Sequence, residues 1–243
     1  MKSRYDDRMF FEKYAQMERS RKGLEGAGEW PTLEGMLPDL NGLRMLDLGC
    51  GYGWHCRYAI QHGASAVVGV DLSERMLERA RSMGEDARIT YVHAAMETID
   101  FPKASFDLIL SSLAFHYVAD YPGLLKKLHA VLRPQGQLLF SCEHPIFTAQ
   151  GPQEWERDAQ GNIRHFPVDH YFAEGARDAC FLGEHVVKYH RTLTTLLHGL
   201  VENGFVIEDV QEPKPTAAML AADEQMKEEL RRPMMLIVSA RRR

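Results

Sequence analysis

Cysteine is scarce: Cys50, Cys56, Cys142 and Cys180 are the only four in 243 residues, and no two form a C-x-x-C pair. That leaves neither a disulfide framework nor a thiolate metal motif, and it fits reduced thiols in a cytoplasmic compartment. A basic surplus is missing as well. Twenty-nine Lys and Arg face 34 Asp and Glu, for a net charge of −5, so nothing in the charge balance calls for nucleic acid as a partner. No apolar run reaches membrane-spanning length. The start, Met1-Lys2-Ser3-Arg4-Tyr5, runs into charges instead of an apolar stretch, so a secretory signal is not expected. The 11 histidines include no H-E-x-x-H pair and no paired cysteines accompany them, so no metal site is expected.

What is present is hydrophobic material ample for a core, 45% of the residues. The chain is organised around one stretch, Arg44-Met45-Leu46-Asp47-Leu48-Gly49-Cys50-Gly51-Tyr52-Gly53. Its apolar run reads as a central parallel strand covered on both faces. The strand breaks into a turn in which alternate glycines let a ligand approach without meeting a Cβ. A helix follows from Trp54 to Gln61, its N-terminus facing the turn. The next strand, Ala66 to Val70, ends in Asp71, about 20 residues past the first glycine, where a carboxylate accepts hydrogen bonds from a ribose diol. A dinucleotide turn needs G-x-G-x-x-G, but here the sixth position is Trp54 and the third glycine arrives early, at Gly53. An indole where a pyrophosphate must approach argues against NAD or FAD, and a nicotinamide-dependent oxidoreductase is therefore the lesser alternative.

Leu46 to Gly53 resembles the first motif of the class I S-adenosylmethionine-dependent methyltransferases, with Phe106-Asp107-Leu108-Ile109-Leu110-Ser111 and Leu132-Arg133-Pro134-Gln135-Gly136-Gln137-Leu138 matching further motifs in order. The resemblance spans roughly residues 43 to 142. It implies an α/β fold, a doubly wound, seven-stranded Rossmann-like sheet whose last strand is antiparallel, under a helical and loop cap. It implies S-adenosylmethionine as cofactor and S-adenosylhomocysteine as product. Cofactor contacts are expected from Gly49, Cys50, Gly51, Gly53 and Leu72, with Asp71 on the ribose and Asp47 ordering the turn and the methionine ammonium. Ser111 is expected at the methionine part through its backbone, and Tyr14 or Arg19 at its carboxylate. The family's adenine-binding acid is replaced by Ala95, so Met96 is expected to meet the ring with its backbone N–H and apolar side chain.

Elsewhere the pattern predicts an amphipathic helix ending near Gly23, then a short helix and connector to Asn41. Ser73 caps a crossover helix before a third strand, Ile89 to Val92. A fifth strand runs from Gln137 to Cys142. From Glu143 to Lys188 the chain is rich in histidine, aromatics and acids, which reads as a substrate-binding insertion or lid. Trp155, His165, Phe166, Asp169, His170, Tyr171, Phe172, Arg177 and His185 are its candidate pocket residues. His144, directly after the fifth strand, is the candidate general base, Glu143 the next, and His116 either caps a helix or lines the transfer site. A sixth strand from Phe205 to Val210, a helix over Ala217 to Leu230 and a strand from Met234 to Val238 complete the sheet, with Arg241 to Arg243 as a solvated end.

The chain reads as one domain over 1–243: cap helices over 1–40, a cofactor core over 41–142, the insertion over 143–188 and the rest of the sheet over 189–243. The function expected is methyl transfer to an O, N or C atom of a small, ring-bearing acceptor, by a monomer or homodimer. A non-catalytic adenosylmethionine-binding module is the other alternative.

Overall fold

The computed structural model describes residues 3–243; Met1 and Lys2, part of the stretch read for a secretory signal, lie outside the described residues. Two short helices, α1 (Arg8–Ala15) and α2 (Glu18–Arg21), precede α3 (Trp30–Gly35) and the first strand, β1 (Arg44–Leu48). The alternation that follows is α4 (Trp54–Gln61), β2 (Ala66–Asp71), α5 (Glu74–Ser82), β3 (Ile89–His93), β4 (Phe106–Ser112), α6 (Tyr121–Val131) and β5 (Leu132–Glu143). After α7 (Pro145–Thr148) come two hairpins, β6 (Glu156–Arg157) with β7 (Ile163–His165), and β8 (Gly175–Phe181) with β9 (Glu184–His190). The chain then closes through α8 (Leu193–Glu202), β10 (Phe205–Gln211), α9 (Ala217–Ala222) and β11 (Met235–Arg242).

Seven strands form one sheet in the order β10-β11-β5-β4-β1-β2-β3. All run parallel except β11, which pairs antiparallel with both β5 and β10. The expected sheet is thereby present. Successive side chains of a strand face opposite sides, and both sides here are buried. Leu46, Ile109, Leu138 and Val238 pack under α6 and α8 through Leu124, Leu128, Leu196 and Leu200. Their neighbours Met45, Leu108, Leu139 and Ile237 pack on the other side with Leu33, Cys56, Ile60 and Leu77 from α3, α4 and α5. This two-sided burial is why the strands read as unbroken apolar runs instead of alternating ones.

The structure departs from the sequence expectation in four places. The first helix is broken at Met17, which is extended (φ −64°, ψ 146°). The break lets Phe10 pack against Ala179 and Val186 of the β8–β9 hairpin, while Gly23, further on, lies under the Trp54 ring. One straight helix could not reach both. The fifth strand begins at Leu132 instead of Gln137, with Arg133–Gly136 forming a bulge inside it: Phe106 pairs with Leu132, Leu108 with Gln137, and Gln135 takes φ 65°. The helix over Ala217 to Leu230 is interrupted by Asp223 (φ −143°), which caps 3₁₀ turns over Glu224–Arg231. Last, Arg241 and Arg242 belong to β11. Arg241 meets Glu208 at 2.5 Å and Arg242 donates to the Leu132 carbonyl, so they are anchored rather than solvated.

Candidate active site

At the carboxyl ends of β1, β2, β4 and β5, beneath the N-terminal segment and the β8–β9 hairpin, lies a cavity of about 550 Å³. Gly49, at φ 73°, turns the chain so that its amide and that of Cys50 donate to the Val70 carbonyl at 2.8 and 3.0 Å. A Cβ at Gly49 would stand 2.6 Å from Ala114 Cβ, so only glycine fits that point of the cradle. Asp71 faces the cavity. Its carboxylate accepts from the amides of Gly51 and Ser73, both at 2.8 Å. Burial pushes the Asp71 carboxyl above its usual range, although those two amides work against the shift. Cys50, Gly51, Leu72 and Met96 line the same wall.

Tyr14 and Arg19 also line the cavity. The Arg19 guanidinium donates at 2.9 Å to Glu29, whose Oε1 also accepts from the Ser112 hydroxyl at 2.9 Å. Burial disfavours the Arg19 charge, but the Glu29 carboxylate outweighs it and holds the group protonated. Leu113, in the left-handed region at φ 51°, bends the chain after β4 and presents Ser112 and Ala114 to the cavity.

Four expected site residues stand elsewhere. Asp47 is buried behind the turn, with one oxygen accepting from the Cys56 thiol at 3.2 Å and the other unpartnered; burial pushes its carboxyl up to about 7. Ser111 donates at 2.8 Å to the Leu48 carbonyl and leaves the cavity wall to Ser112. Gly53 makes room for a different neighbour, because a Cβ there would meet the Tyr91 hydroxyl at 2.2 Å. His144 is turned out of the cavity: its Nδ1 accepts from the Ile146 amide at 3.1 Å, capping α7, and its Nε2 lies 2.9 Å from Glu212 without alignment for a hydrogen bond. In that position it cannot serve as a general base on a group inside the cavity.

Glu143 and His116 do reach the cavity. The Glu143 oxygens accept from the buried Lys188 ammonium at 2.5 Å and from Gln153 Nε2 at 2.8 Å. Burial raises the Glu143 carboxyl, but His116, Lys188 and those hydrogen bonds more than reverse it, and it stays ionised below the usual range. His116 sits in the 3₁₀ turn Phe115–Tyr117, where its Nδ1 accepts from the Glu143 amide at 3.3 Å. Of the insertion residues, His185 lines the cavity, whereas Trp155 and Phe166 pack on Arg232 and Phe172 is 88% exposed. Tyr5, Tyr117, Tyr189 and Phe181 line the wall as well; Tyr5, Tyr189 and Phe181 were not anticipated, nor was the Lys188 pairing. Only Tyr117, next to His116, carried a local signal. Among the described residues no three His, Cys, Asp or Glu side chains gather as metal ligands, and no helix is long and apolar enough to cross a membrane.

The profile of the family described as Methyltransferase domain matches residues 46–140. A crystallised S-adenosylmethionine dependent methyltransferase of Mesorhizobium loti shares 52% identity, with 90% of this chain and 100% of that one covered at a TM-score of 0.84. The chain belongs to the class I S-adenosylmethionine-dependent methyltransferases. A candidate member from Listeria monocytogenes superposes on the methyltransferase at a TM-score of 0.86, with 48% identity over 91% of this chain and 99% of the other. An uncharacterized Haemophilus influenzae protein is 37% identical over 98% of the methyltransferase and 96% of its own length. The enzyme's cofactor is S-adenosylmethionine. The cavity fits it on two counts: a carboxylate at the end of β2, and a turn at Gly49 that a Cβ would fill. Family membership removes the nicotinamide reading.

Proposed function

We propose that the methyltransferase moves the cofactor's methyl group to a small molecule enclosed in the far half of the cavity, between the 3₁₀ turn Phe115–Tyr117, the end of β5 and the β8–β9 hairpin. The observation that carries this reading is the cavity itself, whose 550 Å³ continues past the glycine turn to Glu143, Phe181 and Tyr189. In this reading Asp71 accepts from the ribose hydroxyls, while Gly49, Cys50, Gly51 and Leu72 shape the turn around the cofactor. Met96 covers the adenine, and Arg19 and Tyr14 take the methionine carboxylate, with Glu29 and Ser112 fixing the guanidinium. The bound sulfonium supplies an electrophilic methyl group, so the protein's part is to align the acceptor and exclude water. The N-terminal segment does the excluding. Glu184 on the hairpin holds Arg4 at 2.5 Å and Lys13 at 3.1 Å, and Ser73 donates to Asp6 at 2.7 Å.

We further read 1–243 as one methyltransferase domain acting in the cytoplasm, where the free cysteines, three of them buried, stay reduced. Calorimetry with adenosylmethionine, adenosylhomocysteine and NAD, followed by label transfer to small acceptors, tests the reading. Saturable binding of the first two alone is expected. Label appearing only in macromolecular acceptors would defeat the small-molecule assignment.

A further inference from the structure

Along its buried inner wall the far half of the cavity offers protons and has nowhere to put one; the other imidazole on the hairpin, His185, stands largely exposed and is paired with Asp178 at 3.0 Å. The Tyr5 and Tyr117 hydroxyls lie 3.4 Å apart on its wall, and the His116 ring lies against that of Tyr117 with centroids 4.4 Å apart. Because the Glu143 amide donates to His116 Nδ1, a neutral ring must carry its hydrogen on Nε2. The His116 ring, which lines the cavity, therefore carries an N–H instead of a lone pair at Nε2. Its ring faces Glu143, which favours the charged form, but burial, with Lys188, Arg19 and Arg191, outweighs it and pushes the group down to about 4. Burial likewise raises both phenols, so their hydroxyls keep their protons. The one carboxylate on this wall, Glu143, already has Lys188 on one oxygen and Gln153 on the other.

A wall of donors with its carboxylate occupied selects an acceptor that needs no deprotonation. Phenols and alkylamines hold their protons at neutral pH, with ordinary pKa values near 10, whereas carboxylic acids have lost theirs, with values near 4. A ring nitrogen also has a free lone pair, but it accepts one hydrogen bond where a carboxylate accepts about four, and it would leave most of these donors unpaired. Resting on the small-molecule reading above, we propose that the acceptor enters as a carboxylate held by Tyr5, Tyr117 and the Nε2–H of His116, and leaves as its methyl ester without a protein base. One carboxylate oxygen supplies the electron pair of the new O–CH₃ bond while the pair of the methyl–sulfur bond stays on sulfur. The acceptor's negative charge and the sulfonium's positive charge cancel, and no proton is released.

The test uses the full chain saturated with adenosylhomocysteine and a panel of cavity-sized acids, each with its amide, including benzoate, phenylacetate and half-esters of dicarboxylic acids. Several acids are expected to bind at least tenfold more tightly than their amides. Tyr117→Phe should reduce that preference by about tenfold to a hundredfold, as for a hydrogen bond to a charged group. His116→Leu should do the same, with His116→Gln, which keeps a donor, restoring part. Nitrogen-15 spectra of labelled histidine should report His116 as the neutral Nε2–H tautomer at pH 7. With labelled adenosylmethionine, product from an acid should release labelled methanol in mild alkali, and the enzymatic rate of its formation should be flat between pH 6 and pH 9. No acid bound better than its amide, an Nδ1–H or charged His116, or an alkali-stable methyl group on a matched phenol or amine each overturns the proposal while leaving the cofactor reading standing. Failure of adenosylhomocysteine to bind overturns the underlying reading instead.

Discussion

The two halves of the cavity are held by different means. On the cofactor side the groups are mostly backbone: the Gly49 and Cys50 amides on the Val70 carbonyl, and the Gly51 and Ser73 amides on Asp71. On the acceptor side they are side chains brought from distant parts of the chain. Lys188 meets Glu143 across 45 positions, and Tyr5 meets Tyr117 across 112. A backbone-built site tolerates changes of side chain, and the family profile duly covers only residues 46–140. A site built from side chains can be re-specified by a few substitutions, which suits the half that selects the acceptor.

Four measurements sharpen or break this contrast. The largest effect is expected from Lys188→Met, which strands the buried Glu143 carboxylate and should cost about 3–5 kcal/mol in denaturant unfolding. The double change with Glu143→Leu should recover most of that. A single variant as stable as the parent would show that the acceptor wall does not depend on its pairs.

Next comes Asp47, buried under the turn with its folded pKa raised to about 7. A raised acid contributes stability fully below its unfolded value near 4 and loses it as pH climbs to the folded value. Asp47→Asn should therefore gain about 2–4 kcal/mol relative to the parent between pH 4 and pH 7 and stay level above. A difference independent of pH would mean that the carboxyl is solvated.

Asp71→Ala should weaken adenosylmethionine binding by roughly tenfold to a hundredfold, since hydrogen bonds to a charged group contribute about 1.5–3 kcal/mol. Unchanged affinity in a folded variant would put the diol elsewhere. The smallest effect belongs to Glu184→Gln at the exposed clasp between the N-terminal segment and the hairpin. Surface pairs of this kind contribute about 0–1 kcal/mol, so the shift in melting temperature should be slight and vanish in high salt.

How much of this could be read beforehand depended on how local the cause was. The apolar runs of β1 and β4, the alternate glycines and the acid ending β2 act within a few residues of themselves, so the sheet, the turn and the place of Asp71 were legible. Neighbour parity was not. Ser112 faces the cavity and Ser111 the Leu48 carbonyl, and Glu143 faces in while His144 faces Glu212, because successive side chains near a strand end point to opposite sides. No pattern in the sequence says which of two adjacent polar residues the sheet will turn inward.

The sequence by itself determined the sheet and the ligand-binding turn, because a two-sided apolar sheet and a turn that only glycine can make follow from short-range sterics and burial; the cofactor followed from the resemblance those motifs carry. Tertiary structure alone decided the acceptor wall. Tyr5, His116, Tyr117, Glu143 and Lys188 meet only after the N-terminal segment and the β8–β9 hairpin have folded over the strand ends, and that enclosure shifts the ionisation of the first four.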